Sequence, residues 1–458
     1  MVTTISTESQ VEIPGFSLNT IMTETRSKAV FLTISMSFMF QRHLHSVIKY
    51  FVNTTNAEYL FIDFSSEAQY WIFENVWGVR VSVIDWIYNA CYLAEFPIEN
   101  VTFISGNSKV EESYNAWYEN IGSQLGVPKF AQAKHCQMWD DIVNSSHTDI
   151  FDNLDREGNY IKPFAFTYYN GVSRQHRVDL LKRMISKDLF RHGLITMLDD
   201  PGDNELHKQG INFPLTLPSD TERTHNNLTT HNEHVNPEFL YSHNWAYLDV
   251  VAETIIGRQP DGNRHSFSEA PEWWQSTFYT EKIWRAIYYG RPFMLLGAPG
   301  QLAELRSHGY ETFNDLWSEE YDTKENLQDR INAITHELEQ LAKLDRVELN
   351  RIMSKPTVIE RLERNRQVFN LQNDRFNSFS WSSTRQFKQL VKDNFDATFI
   401  DSNDLRNVAY WIRDNEDQLW KHIEKDWYME SEYSIKLTEM FPEYKGTVMM
   451  CRLRDGER

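Results

Sequence analysis

The chain has 458 residues, of which 41% are hydrophobic and 14% aromatic, and its formal net charge is −19. That length exceeds one ordinary core and that composition excludes a disordered chain, so two domains with an added helical region are expected. The acidic balance counts against an extended phosphate-binding face but is compatible with a local basic groove.

Three cysteines, Cys91, Cys136 and Cys451, lie far apart and form neither a disulfide framework nor a zinc pattern. With a polar start that lacks a signal-peptide layout, this points to a reducing cytoplasm. The apolar stretch "AVFLTISMSFMF" (29–40) is too short and too rich in Ser and Thr to span a bilayer.

In chain order, "KAVFLTISM" (28–36) reads as a buried strand and "FQRHLHSVIKYFV" (40–52) as a helix. "EYLFIDFSSE" (58–67) reads as a strand, "VIDWIYNACYLAEF" (83–96) as a helix, "NVTFISG" (100–106) as a strand and "VEESYNAWYENIG" (110–122) as a helix. The alternation predicts a parallel, doubly wound sheet. A second series opens with the strand "YIKPFAFTYYNG" (160–171) and the helix "SRQHRVDLLKRMIS" (173–186). It continues with the strand "WAYLDVVAET" (245–254), the helix "TEKIWRAIYYG", the strand "RPFMLLG" and the helix "PGQLAELRSHGY" (299–310). Between these runs lies a long polar segment, 199–237, that reads as a functional or mobile loop. Beyond about 320 the pattern turns helical: Leu327, Ile331, Ile334, Leu338 and Leu341 follow 4-3-4-3 spacing, the signature of a helix packed on its neighbours. Pro356 breaks that run, and 380–424 carries further helical pattern. The expected domains are 1–158, 159–322 and a helical region 323–458 that packs on or bridges the two. Two α/β domains facing each other would place a ligand cleft at the C-terminal ends of their strands.

Thr280 has the character of an N-cap, which puts Glu281 and Lys282 in the first turn of the next helix. Free N–H groups and a lysine suit a phosphate there, and an ionised Glu281 can accept from both hydroxyls of a ribose. Taken alone, these three residues are equally the capped, solvated start of any helix.

Their surroundings carry more. Glu253 ends the preceding strand, then come Tyr279-Thr280-Glu281-Lys282, Gly290, Pro292 and Gly297. This order resembles the donor-binding region of the α-1,3-fucosyltransferase family, where a Glu-containing "ENS"-like segment precedes "DYVTEK", a helix and "G.VPV..G". The family's Arg-bearing helix is matched by Arg174 and Arg177, with His176 beside them. Phage-type glycosyltransferase-like proteins show a similar "HR" helix and a run similar to "GAPGQLAELRSHGYETF" (297–313). The resemblance covers roughly 160–320. The "ENS" position reads "AETI" here and the stretch between Glu253 and Thr280 is longer, so the family's sugar is not carried over.

The resemblance implies a GT-B glycosyltransferase: two Rossmann-like domains, a nucleotide-diphosphate sugar as donor, no cofactor and no metal. In it Glu281 would bind ribose, Lys282 and Arg177 the diphosphate and Glu253 the donor sugar, with Arg174, His176 and Thr280 completing the site. The transferred group would be a hexose or pentose. The acceptor would be a saccharide or, following the phage-type likeness, a hydroxymethylated base in DNA, which places the chain in a host cytoplasm. A catalytically inactive GT-B-like module for binding or assembly is the alternative.

An inverting transfer also needs a base for the acceptor hydroxyl. "FIDFSSE" ends the second strand, so Glu67 is the first candidate and Asp63 the second, ahead of His43 and His45. The His225, His231 and His234 group reads as polar loop rather than metal site, and Trp273-Trp274 as packing.

Overall fold

A computed structural model describes residues 27–34, 44–65, 74–76, 79–81, 83–137, 161–217, 243–254, 277–374, 382–401, 404–405 and 439. The chain divides into two compact units: Met1–Gln137 with Arg264–Ser276 and Thr384–Arg458, and Met138–Asn263 with Thr277–Ser383.

The first unit opens with β1 (Lys28–Thr33), α1 (Leu44–Thr55) and β2 (Tyr59–Phe64). It continues with α2 (Val83–Leu93), β3 (Val101–Ser105), α3 (Val110–Trp117) and β4 (Gln132–Gln137). In the second unit come β5 (Phe164–Asn170), α4 (Gln175–Ser186), β6 (Gly193–Met197), α5 (Asn204–Lys208) and β7 (Leu215–Leu217). They are followed by β8 (Ala246–Ala252), α6 (Glu281–Tyr288), β9 (Phe293–Leu296) and α7 (Gln301–Ser307). Three helices close it: α8 (Leu327–Lys343), α9 (Arg346–Met353) and α10 (Pro356–Asp374). The chain then returns to the first unit with α11 (Thr384–Asn394) and β10 (Asp396–Ile400).

The expected helical region 323–458 is shared between the two units. Its first three helices pack in the second unit, where Ile331, Ile334, Leu338 and Leu341 are buried in the core. Its return segment completes the first sheet, and part of the expected helical pattern there is strand. Asp396–Ile400, "DATFI", is rich in β-branched and aromatic residues, and it pairs in parallel along β1, from Lys28↔Asp396 to Leu32↔Ile400. Phe399 stacks on Phe31 at 5.1 Å, and Phe387 of α11 lies 6.4 Å from the same ring. The polar stretch expected as loop also carries structure, since α5 and β7 fall inside it. Asp203 caps α5, accepting from Glu205 N and Leu206 N. The rest of that stretch beyond Leu217, with His225, His231 and His234, lies outside the described residues, as do Trp273 and Trp274.

In the first unit the strands run β10-β1-β2-β3-β4, all parallel. The order in the second is β9-β8-β5-β6-β7, parallel except for β7. Here β5 leads outward through β6 to β7, and the chain then returns to lay β8 and β9 on the other flank of β5. The reversal makes the gap between the ends of β5 and β8 a topological switch point, the place where open α/β sheets bind ligands.

Asp63 sits at the C-terminal end of β2, as expected of it, but its carboxylate is buried and spent within the unit. It accepts from Ser65 N at 2.9 Å and from Thr33 Oγ1 at 3.2 Å, and the Lys388 ammonium lies 3.6 Å away. Lys388 also donates to Thr33 Oγ1 at 2.9 Å, and Thr384 Oγ1 to Ser65 Oγ at 2.7 Å. These bonds fasten the returning helix to the ends of β1 and β2. A base for an acceptor hydroxyl must face that hydroxyl, and Asp63 faces Lys388 instead. Replacing Asp63 by Ala should cost about 1–3 kcal/mol, because it strands buried donors, whereas Lys388→Met should cost less. Denaturant midpoints of the two variants check this order.

Candidate functional site

Four segments of the second unit meet at the switch point. β5 ends at Asn170, and after a short turn Arg174 takes the N-cap position of α4 with extended backbone (φ −103°, ψ 149°). The Arg174 side chain makes no capping hydrogen bond, and its carbonyl takes the first turn, accepting from Arg177 N at 2.9 Å and Val178 N at 3.0 Å. β8, which pairs with β5 in parallel register (Leu248↔Phe166, Asp249↔Thr167), is followed directly by Glu253 and Thr254. Thr280 begins α6, and its extended backbone (φ −107°, ψ 180°) turns its hydroxyl back to accept from Lys282 N.

These segments are bonded to one another through Glu253 and Thr254. His176, fully buried, has Nε2 2.8 Å from the Glu253 carbonyl oxygen. A carbonyl can only accept, so Nε2 carries the proton and donates. Burial first, then the neighbouring Arg177 charge, hold the imidazole pKa well below the ordinary range, which keeps the ring neutral. Arg177, also buried, donates from its guanidinium to Val172 O at 3.0 Å and to Thr254 Oγ1 at 3.5 Å.

On the other side the Glu253 carboxylate receives Thr280. Oε1 accepts from Thr280 N at 3.1 Å, and Oε2 from Thr280 Oγ1 at 2.5 Å and from Thr254 N at 3.3 Å. Glu253 is wholly buried, so nothing of it is presented at the surface. The donor-sugar role expected of Glu253 calls for an accessible oxygen, and this carboxylate is turned inward to its neighbours. Burial raises its pKa, against the lowering effect of the Lys282 charge and of the Thr280 hydrogen bonds.

Glu281 and Lys282 are paired with each other, Nζ to Oε1 at 2.5 Å, and their side chains are 10% and 14% exposed. The Lys282 ammonium also donates to Thr280 Oγ1 at 3.4 Å. The rest of α6 is core: Ile283, Trp284, Ala286, Ile287 and Tyr288 are buried, and Trp284 packs 5.9 Å from Phe369 of α10. The helix start is thus held from below by packing and from the side by Glu253.

A neighbouring helix end is closed. α7 follows Gly300, whose left-handed φ of 78° suits glycine, and Asp322 accepts from Leu302 N at 2.9 Å and from Ala303 N at 3.1 Å. Gln301 folds back to accept from Ala298 N at 2.8 Å and donate to Phe278 O at 3.0 Å, and a Cβ on Gly297 would overlap its Oε1. That helix N-terminus is filled by the chain itself, and the "GAPG" turn is built to hold it.

His176, Arg177, Glu253, Thr280, Glu281 and Lys282 are linked by hydrogen bonds, Arg177 through Thr254, with Arg174 at the head of α4. Thr254 was not expected: it stands in the "AETI" departure, where a polar residue directly after a buried strand is the only sequence signal of its place. Glu67 and His43 lie outside the described residues, and of His45 only its place in α1 is described. Among the described residues no group of three His, Cys, Asp or Glu could hold a metal ion, and no helix is long and apolar enough to cross a membrane.

No protein-family model and no curated protein matches the sequence. Among solved structures, the chain is similar to the catalytic domain of starch synthase IV from Arabidopsis thaliana bound to ADP and acarbose, at 11% identity and a TM-score of 0.34, over 75% of this chain and 73% of that one. A likeness of that size carries neither fold nor activity across.

The Glu253 environment has a pH signature. A carboxyl whose pKa is raised in the fold keeps its proton where the unfolded chain has released it, so stability falls as pH rises from the ordinary value of 4.5 to the raised one and is level beyond it. Glu253→Gln should remove that component. Melting temperatures of both proteins across this window should differ in slope, with the variant flatter.

Proposed function

We propose that the chain is a glycosyltransferase of the GT-B type, which transfers a sugar from a nucleotide-diphosphate sugar to an acceptor hydroxyl without a metal ion. The observation that carries this reading is the meeting of two helix starts, one with Arg174 and Arg177 on α4 and the other with the Glu281–Lys282 pair on α6, at the switch point of one sheet. The order of the same residues along the sequence supports it independently.

The chemistry asks for positive charge where the leaving diphosphate develops its own. Lys282, Arg177 and Arg174 supply it. A diphosphate drawing the Lys282 ammonium would release the Glu281 carboxylate from its ion pair and leave it to accept from ribose hydroxyls. The pair in the free protein is then a resting state in which each group satisfies the other. Burial of both side chains makes the exchange favourable only for a ligand that replaces both partners. Neutral His176 holds the strand end and carries no charge into the site.

On the acceptor side, Glu67 is the proposed base, since Asp63 is committed to Lys388. For the acceptor we propose a hydroxymethylated base in DNA, which the enzyme would take from the duplex by flipping it out. The phage-type run of residues supports this choice, and a saccharide acceptor is the competing outcome. Hexosyl and pentosyl donors fit the same reading.

Thermal shift and calorimetry with UDP, GDP and ADP test the donor side. At least one should bind, and Lys282→Ala or Arg177→Ala should weaken it by about tenfold or more, the equivalent of one lost charge-assisted hydrogen bond. Binding of none would overturn the reading. Release of nucleoside diphosphate from a panel of nucleotide sugars, with hydroxymethylated DNA in one arm and simple saccharides in the other, decides the acceptor. Binding without transfer in either arm would favour a catalytically inactive module.

A further inference from the structure

We infer that Glu253 is a positioning residue whose buried carboxylate sets the direction of the Thr280 hydroxyl and, through it, holds the Lys282 ammonium in place. The geometry stands on the distances alone; its consequence for a nucleotide rests on the donor reading above.

A threonine hydroxyl has one proton to give and two lone pairs to accept with. At Thr280 all three are used. The proton goes to Glu253 Oε2 at 2.5 Å, while Lys282 N and Lys282 Nζ both approach the oxygen at 3.4 Å. Glu253 takes two further donors, Thr280 N and Thr254 N, at 3.1 and 3.3 Å. Three donors converge on two oxygens, an arrangement that an acceptor-only carboxylate satisfies in full.

An amide of the same shape cannot. In one orientation its NH2 meets the Thr280 N–H, donor against donor. In the other its NH2 donates to Thr280 Oγ1, which inverts the hydroxyl. The Thr280 proton then points toward the Lys282 side, and an ammonium offers nothing that can accept it. Lys282 loses its hold on Thr280 and keeps only Glu281. A merely structural role for Glu253 gives a different expectation, because the amide fills the same volume and removes a buried charge. Stability would change little and Lys282 would not notice.

Charged and titratable groups around the carboxylate are Lys282 and Glu281 on α6, His176 and Arg177 reaching in from α4, and Tyr279 next to Thr280. None of them donates to the Glu253 side-chain oxygens in place of Thr280. Burial raises the Glu253 pKa, and the Lys282 charge first, then the Thr280 hydrogen bonds, act against it, so the same two residues of α6 stabilise the charge.

The experiment compares wild type, Glu253→Gln and Thr280→Val, each as the full chain. Limited acylation with an amine-reactive reagent, followed by mass spectrometry of the peptide containing Lys282, reads how firmly the ammonium is held. Melting temperatures and circular dichroism are measured on the same samples. The labelling rate of Lys282 should rise about fivefold in both variants, the equivalent of one neutral hydrogen bond, while labelling of lysines elsewhere in the second unit stays level. An unchanged Lys282 rate in the folded variants overturns the inference. Should Glu253→Gln fail to fold, Thr280→Val alone decides, since it removes the hydroxyl and leaves the carboxylate. Binding of UDP, GDP and ADP is then measured. Weaker binding by Glu253→Gln at unchanged melting temperature joins the latch to the donor site. Failure of the wild type to bind any of them would sink the donor reading, with the labelling still standing as judge of the latch.

Discussion

The bond between the buried carboxylate of Glu253 and Thr280 is the constraint on which the candidate site depends. A fully buried carboxylate is tolerated only where donors surround it, and here two of the three donors, the third being Thr254 N, come from the one residue that must begin α6. Its own backbone carbonyl meanwhile takes the proton of His176. The residue that directly follows a strand therefore ties down two helix starts at once. Arg177 and Lys282, distant in sequence, acquire a fixed relation because each is one or two bonds from the same dipeptide, Glu253-Thr254.

The arrangement follows from the order of strands. Parallel pairing aligns the C-terminal ends of β5 and β8, and the reversal of strand order between them makes that place the switch point of the sheet. The two helices that follow these strands then begin at the same edge of the sheet. Neither the arginines nor the Glu-Lys pair would be informative on another edge, where they would be solvated ends of helices with ordinary caps.

Much of this was legible in the sequence, and the legible part has a physical reason. Strands buried on both faces read as continuous apolar runs, and α6, with Thr280 before it and Gly290 after it, carries both start and stop signals. Parallel α/β character followed from the alternation of such runs. Strand order did not, because pairing is a matter of distant partners: nothing local in "DATFI" says that it lies along β1, and the helical spacing around it suggests otherwise. Short β6 and β4 went unread for a similar reason, since "GLITM" and "QAKHCQ" lack the length or the alternation that marks a strand. Thr254 was hidden by the family pattern itself, which treats its position as a departure. Lys388 was out of reach altogether, as its partner Thr33 lies 355 residues earlier.

Asp63 and Glu253 make a common point from opposite expectations. Both are acidic residues at the C-terminal end of a parallel strand, and that position alone invites a reading in which the carboxylate meets substrate. Yet each is buried, each accepts from a backbone N–H and a threonine hydroxyl, and each has a lysine nearby. What separates them is what the lysine and threonine belong to. Around Asp63 they belong to strand β1 and the returning helix, so the bonds close a sheet edge and end there. Around Glu253 they belong to the first turn of α6, whose charged pair is the least buried part of that helix start. An interior carboxylate acts on function only through the group it orients, and of these two only Glu253 orients a group that a ligand could reach.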